Sequence, residues 1–141
     1  MSDRVFIDTN LLVYMFDDDA PAKKSRAIQI LRSAGNPDEL VLSTQVLQEF
    51  YVAVTRKLKQ PLPEEDALQV VRGLTTLSVV QITPEMVVEA ITFSRAHQAS
   101  LWDSLIVRAA LTAGCQRLLT EDLQSGWQVG TLRVENPFRD T

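Results

Sequence analysis

Short apolar runs alternate with longer segments in which apolar residues recur at three- and four-residue spacing, from one end of the chain to the other. That alternation predicts βαβ units wound around a parallel sheet. Residues 4–7 read as a short buried strand ending at Asp8, and 10–16 as the helical turn after it. Pro21 suits the first turn of a second helix over 21–33, which Gly35, Asn36 and Pro37 would close. Residues 40–42 form the next strand, and Ser43 or Thr44 can cap a long helix reaching about residue 59, where Pro61 ends the element.

Pro63, Glu64, Glu65 and Asp66 open a helix that should run to about Leu74, because acids in a first turn face the positive end of the helix dipole. The β-branched stretch 77–82 is strand-like, and Thr83, Pro84 and Glu85 start a helix continuing to about His97. Ser100 begins another, which Gly114 terminates. Residues 117–119 and 131–134 are the last two strands. The predicted fold is α/β, with three α/β/α layers around a central, mostly parallel sheet of four or five strands.

A chain of 141 residues fits a single domain, 1–141, large enough to bury a core without disulfides or structural metals. Its composition, 45% hydrophobic and 23% charged, excludes disordered and fibrous classes. The longest strongly apolar run, residues 11–16, falls far short of the ~20 residues that span a bilayer. The start, Met-Ser-Asp-Arg, lacks a signal-peptide pattern, and Cys115 is the only cysteine. A cytoplasmic protein is expected, with Cys115 a small core hydrophobe.

Four carboxylates stand out by position. Asp8 directly follows a buried strand, and ligands bind at the carboxyl ends of strands in open α/β sheets, although a helix cap on the next turn is the competing role. Glu49 belongs to the helix whose apolar stripe is Val46, Leu47, Phe50, Tyr51, Val54 and Leu58. At ~100° per residue it lies about 60° outside that stripe, at the rim of the core or in solvent. Asp103, three residues after Ser100, has the spacing of a capping box, yet it also begins a helix anchored by Leu105, Ile106 and Ala109. Asp122 follows the strand 117–119 and shares the sheet edge with Asp8 if the strands are parallel; otherwise it is a loop acid. Glu121 beside it is an outer ligand or a bystander.

Four clustered carboxylates repel one another and call for a cation. All-oxygen donors select Mg²⁺ or Mn²⁺, while the absence of a His/Cys cluster argues against zinc. His97 is the only histidine, so mechanisms that need a catalytic imidazole would rest on it alone and are disfavoured. The balance of 14 basic and 18 acidic residues leaves a net charge of −4, seemingly hostile to nucleic acid. Setting aside the four acids leaves equal numbers, and bound divalent ions would reverse the local sign.

With these residues placed, the sequence resembles the bacterial PIN-domain family, especially its VapC-like toxins. The matching segments are V-F-I-D-T-N with Asp8, S-T-Q-V-L-Q-E-F-Y with Glu49, S-L-W-D-S-L-I-V with Asp103 and L-L-T-E-D-L with Asp122. The resemblance implies a metal-dependent endoribonuclease whose four acids hold one or two Mg²⁺ or Mn²⁺ ions; Asp8 and Asp103, at element ends where the backbone is best fixed, are the expected inner ligands. It also implies supporting roles for Asn10 and Thr120, a cognate antitoxin, and a homodimer. Where the family often carries a further acid, this chain has Gln124.

Candidate RNA contacts are Lys23, Lys24 and Arg26, or Arg56, Lys57 and Lys59, each group otherwise a solvated helix face. Trp102 could stack on a base or pack partly buried. Two alternatives remain: a PIN-like scaffold without catalysis, and an aspartyl-phosphate-type phosphatase, against which Asn10 stands where a second acid is needed.

Overall fold

The computed structural model describes residues 3–33 and 36–139. In chain order the elements are β1 (Val5–Ile7), α1 (Thr9–Tyr14), α2 (Pro21–Ser33), a 3₁₀ turn (Pro37–Glu39), β2 (Leu40–Ser43), α3 (Thr44–Arg56) and α4 (Glu64–Leu74). There follow β3 (Ser78–Val80), α5 (Pro84–His97), α6 (Leu101–Thr112), β4 (Arg117–Leu119), β5 (Gln128–Val129) and β6 (Leu132–Glu135). Gly35, expected to help close α2, lies outside the described residues.

The six strands form one sheet in the order β3-β2-β1-β4-β6-β5, with helices on both sides. All neighbours pair in parallel except β5 and β6. β1 and β2 are buried throughout and β4 except at Arg117, as a parallel sheet covered on both faces requires: Phe6, Val41 and Leu118 are fully inaccessible. Phe50 and Val54 of α3 and Val107 and Ala110 of α6 belong to the same core.

The sheet thus has six strands where four or five were expected. The additional one, β5, has two residues and forms a hairpin edge, with Gly130 at φ 58° in the turn before β6. A pair of partly exposed residues has no hydrophobic rhythm to betray it. α3 stops at Arg56, sooner than expected, and Leu62 donates back to the Val54 carbonyl at 2.8 Å. The connection folds onto the core because Leu58 and Leu62 are themselves packed against it.

Two features of the topology position the candidate chemistry. β1 is flanked by β2 on one side and β4 on the other, so the chain's progression across the sheet reverses there. In open α/β sheets such a switch point opens a crevice beyond the carboxyl ends of the strands. The register pairs Ile7 with Leu119, which sets Asp8 level with Thr120. The Asp8 amide donates to the Leu119 carbonyl at 3.1 Å and holds that alignment.

Candidate active site

Asp8 is buried at the end of β1 and caps α1. Its Oδ1 accepts from the Thr9 amide at 2.7 Å, and its Oδ2 accepts from the Thr120 hydroxyl at 2.7 Å. The capping role and the strand-end position therefore coexist. Burial pushes this carboxyl up to about 7; the two hydrogen bonds oppose the shift, and the negative charges of Asp122 and Glu49 add to it.

Thr9 also joins Asp8 to Glu49, because its hydroxyl donates to Glu49 Oε1 at 2.8 Å. Glu49 is half-buried on α3, and its Oε2 accepts from Gln45 Nε2 at 3.2 Å, one turn earlier on the same helix. Gln45 is buried, and the same amide nitrogen donates to the Trp102 carbonyl at 3.1 Å. One side chain thereby ties α3 to the first turn of α6, the turn that carries Asp103.

Asp122 is exposed just beyond β4. Its Oδ2 accepts from Asn10 Nδ2 at 3.1 Å, and its amide donates to Thr120 Oγ1 at 3.1 Å. Asn10 Nδ2 also donates to Thr120 Oγ1, at 3.2 Å. Thr120, fully buried, is the hub that orients both Asp8 and Asp122.

Asp103 sits in the first turn of α6, where its amide donates to Ser100 Oγ at 3.0 Å, the first half of the expected capping box. Its carboxyl is raised, chiefly by burial, against a hydrogen bond from Ser100; Asp122 and Glu49 raise it further. Asp8 and Asp103 thus both lie in the field of Glu49 and Asp122. All four acids gather at one edge of the sheet.

Each carboxylate is turned toward a protein donor, and among the described residues no three His, Cys, Asp or Glu side chains form a ready-made ligand set. The donor chemistry nevertheless fits a hard cation. Beside the four carboxylates stand Asn10 Oδ1 and Gln45 Oε1, two buried amide oxygens without hydrogen-bond partners. Buried acceptors left unpaired are costly, and a cation satisfies oxygen donors of this kind.

Other expected residues fall differently. Glu121 is engaged within the molecule: it accepts from Tyr14 Oη and pairs with Lys23 Nζ at 3.0 Å. Lys24 pairs with Asp18, and Arg26 donates to the Pro137 carbonyl at 3.2 Å, so the first basic group is engaged within the molecule. Lys57, from the second group, lines a groove with Glu49 and Asp122. Trp102 is 62% exposed, against the expected partial burial. Cys115 is buried, as expected.

Sequence reasoning overlooked Thr9 and Gln45. Thr9 had a signal, its place inside the D-T-N segment, and Gln45 stands four residues before Glu49, on the same helix face. Among the described residues no helix is long and apolar enough to cross a membrane.

Comparison with known proteins agrees with this architecture. A family model described as PIN domain matches residues 5–124. No curated protein sequence matches the chain. Solved structures with the same fold include a toxin–antitoxin complex from Klebsiella pneumoniae, at TM-score 0.70 and 18% identity, covering 94% of this chain and 97% of that one. Another is VapC20 of Mycobacterium tuberculosis, described as a sarcin-ricin loop cleaving toxin, at TM-score 0.67 and 20% identity over 81% and 86% of the two chains. FitAcB from Neisseria gonorrhoeae aligns at TM-score 0.66 and 16% identity over 96% and 99%.

Proposed function

This chain belongs to the PIN domain family, and from that premise we propose that it is a divalent-metal-dependent endoribonuclease, the toxin of a toxin–antitoxin pair, acting in the cytoplasm as a single domain. The observation that carries this reading is the joint placement of Asp8, Glu49, Asp103 and Asp122 at the sheet's switch point, with two unpartnered amide oxygens beside them. Such a set balances its own repulsion by holding Mg²⁺ or Mn²⁺.

A bound ion of this kind lowers the pKa of a coordinated water and neutralises charge at the phosphate. The protein's own residues supply position. Asp8 is locked between Thr9 and Thr120, so its carboxylate reorganises little when it binds. Asp8 and Asp103 serve as the inner ligands, and Glu49 and Asp122 complete the shell. Thr9, Gln45, Thr120 and Asn10 act behind them, fixing carboxylate orientation as hydrogen-bonded supports do around metal centres.

One of the named structures is a toxin–antitoxin complex, which supports a cognate antitoxin here. The groove lined by Val13, Tyr14, Val52, Lys57 and Leu58 opens onto Glu49 and Asp122 and suits an amphipathic segment carrying a basic residue over the acids. A homodimer is proposed on the family's pattern, and sedimentation or light scattering tests it. The enzymatic reading is tested by mapping cleavage sites on total RNA with Mg²⁺, beside an Asp8→Asn variant. Loss of cleavage with an intact fold supports it; full activity of a clean Asp8→Asn preparation overturns the assignment. Titration calorimetry showing no Mn²⁺ binding would favour a scaffold instead.

A further inference from the structure

Asp122, which lines the groove that carries Lys57, also lines a second cleft of about 510 Å³, together with His97, Gln98, Ser100, Asp103, Gln124 and Trp127 among others. That volume lies within the roughly 300–1,000 Å³ of small-ligand sites. Asp103 and Asp122 line the cleft together with the rings of His97 and Trp127. His97, exposed, lies against Phe93 with ring centroids 4.3 Å apart, and Trp127 meets the His97 ring edge-on at 5.8 Å. His97 is exposed, whereas the two rings beside it, Phe93 and Trp127, are half-buried and packed against the core.

Gln98 adds an independent sign. It is the only non-glycine among the described residues with a left-handed backbone, φ 54°, and it ends α5 where glycine would be less strained. Strain retained beside a cleft points to use of the side chain. Gln98 and Gln124 both bring carboxamides, each able to donate and accept. No lysine or arginine lines this cleft and two acids do, so it offers nothing to a phosphate. A largely polar cleft in which two aromatic rings stand among carboxamides matches a nucleobase that has left its stack.

We propose that this cleft seats one unpaired base of the RNA strand, adjacent to the phosphate held at the acids, with Trp127 stacking on it, His97 against its edge, and Gln98 and Gln124 reading its polar groups. The inference rests on the nuclease reading for its RNA but makes a separate prediction. Trp127 and Trp102 are the only tryptophans, so a Trp102→Phe protein reports from Trp127 alone. It is mixed rapidly, with Mg²⁺ present, with single-stranded RNA hexamers, one intact and six each abasic at a different position, and the initial fluorescence change is read before cleavage.

The intact hexamer should quench Trp127, and loss of the base at one position should abolish most of the quenching and weaken binding about tenfold. His97→Ala should weaken the intact hexamer by a similar factor and remove the penalty at that position. Gln98→Gly relieves the strained backbone, so it should keep a Tm at or above the parent's while changing the ranking of the four bases there. Equal binding of all seven hexamers, or an unchanged ranking in both variants, overturns the proposal. A protein that cleaves RNA yet ignores abasic sites keeps the nuclease reading and loses the subsite. Base-dependent quenching without any cleavage keeps the subsite and refutes the nuclease.

Discussion

The hydroxyl of Thr120 donates to the carboxylate of Asp8 at 2.7 Å, joining residues 112 positions apart in the sequence and both buried. The bond exists because parallel pairing of β1 with β4 sets the two positions level. It is also the largest influence opposing the burial that raises Asp8. Thr120→Val, nearly the same shape, removes the donor and leaves a buried carboxylate less well satisfied. The expected cost is about 1–3 kcal/mol at pH 8, where Asp8 is ionised, and less at pH 5, where it is protonated. Urea denaturation at the two pH values measures it, and an equal loss at both would refute the assigned role.

Asp8 itself sets a pH dependence. Its folded value, about 7, lies above the ordinary carboxyl value of 3.8. The native state therefore holds a proton that the unfolded chain has released, and stability falls as pH rises between those values. The slope approaches about 1.4 kcal/mol per pH unit. Asp8→Asn should flatten that slope, and Mn²⁺ should restore the stability of the parent above pH 7. Denaturation midpoints across pH 4–8, with and without metal, decide; a flat parent profile would contradict the burial of a titrating carboxyl.

Glu121, Tyr14 and Lys23 clamp the segment that carries Asp122. Lys23 Nζ reaches Glu121 Oε2 at 3.0 Å and Tyr14 Oη at 3.2 Å, and lies 4.9 Å from the Tyr14 ring centre. The pair is partly solvent-screened, so a double-mutant cycle with Lys23→Met and Glu121→Gln should give a coupling of about 1 kcal/mol. A further expectation is weaker Mn²⁺ binding in Glu121→Gln, read by calorimetry. Zero coupling would mean that the cluster is incidental.

Cys115 should be chemically quiet. Burial raises its thiol to about 11, so little thiolate exists in the native protein at pH 8. Alkylation by iodoacetamide should then follow the unfolding equilibrium and accelerate strongly in denaturant. Because the folded value exceeds the unfolded one, this group's contribution to stability declines as pH rises from about 9 through 11. Rapid native labelling at pH 8 would show the side chain to be accessible.

Elements with their own local code were readable without the fold. α2 and α5 begin and end where proline, threonine, serine and histidine positions say they should, and β4 coincides with its predicted residues. The end of α3 and the two-residue β5 were not readable. The first depends on where Leu58 and Leu62 find the core, and the second on a partner strand. Asp8, Asp122 and Asp103 were visible as strand-end and helix-start residues, and Glu49 by its place at the rim of a helix's apolar stripe. Their common supports, Thr9 and Gln45, gain meaning only once α1, α3 and α6 meet.

Glu121 and Asp122 make the division plain. They are adjacent acids of similar chemistry, and no local rule says which one faces the other carboxylates. Strand order, register and the docking of α2 turn Glu121 toward Lys23 and Asp122 toward Asn10. By itself the sequence determined the alternation of elements, the parallel sheet and the kind of chemistry its acids can do, because caps, periodicity and side-chain type are local properties. Tertiary structure alone decided which side chains converge, since hydrogen bonds and burial act across space between residues more than a hundred positions apart.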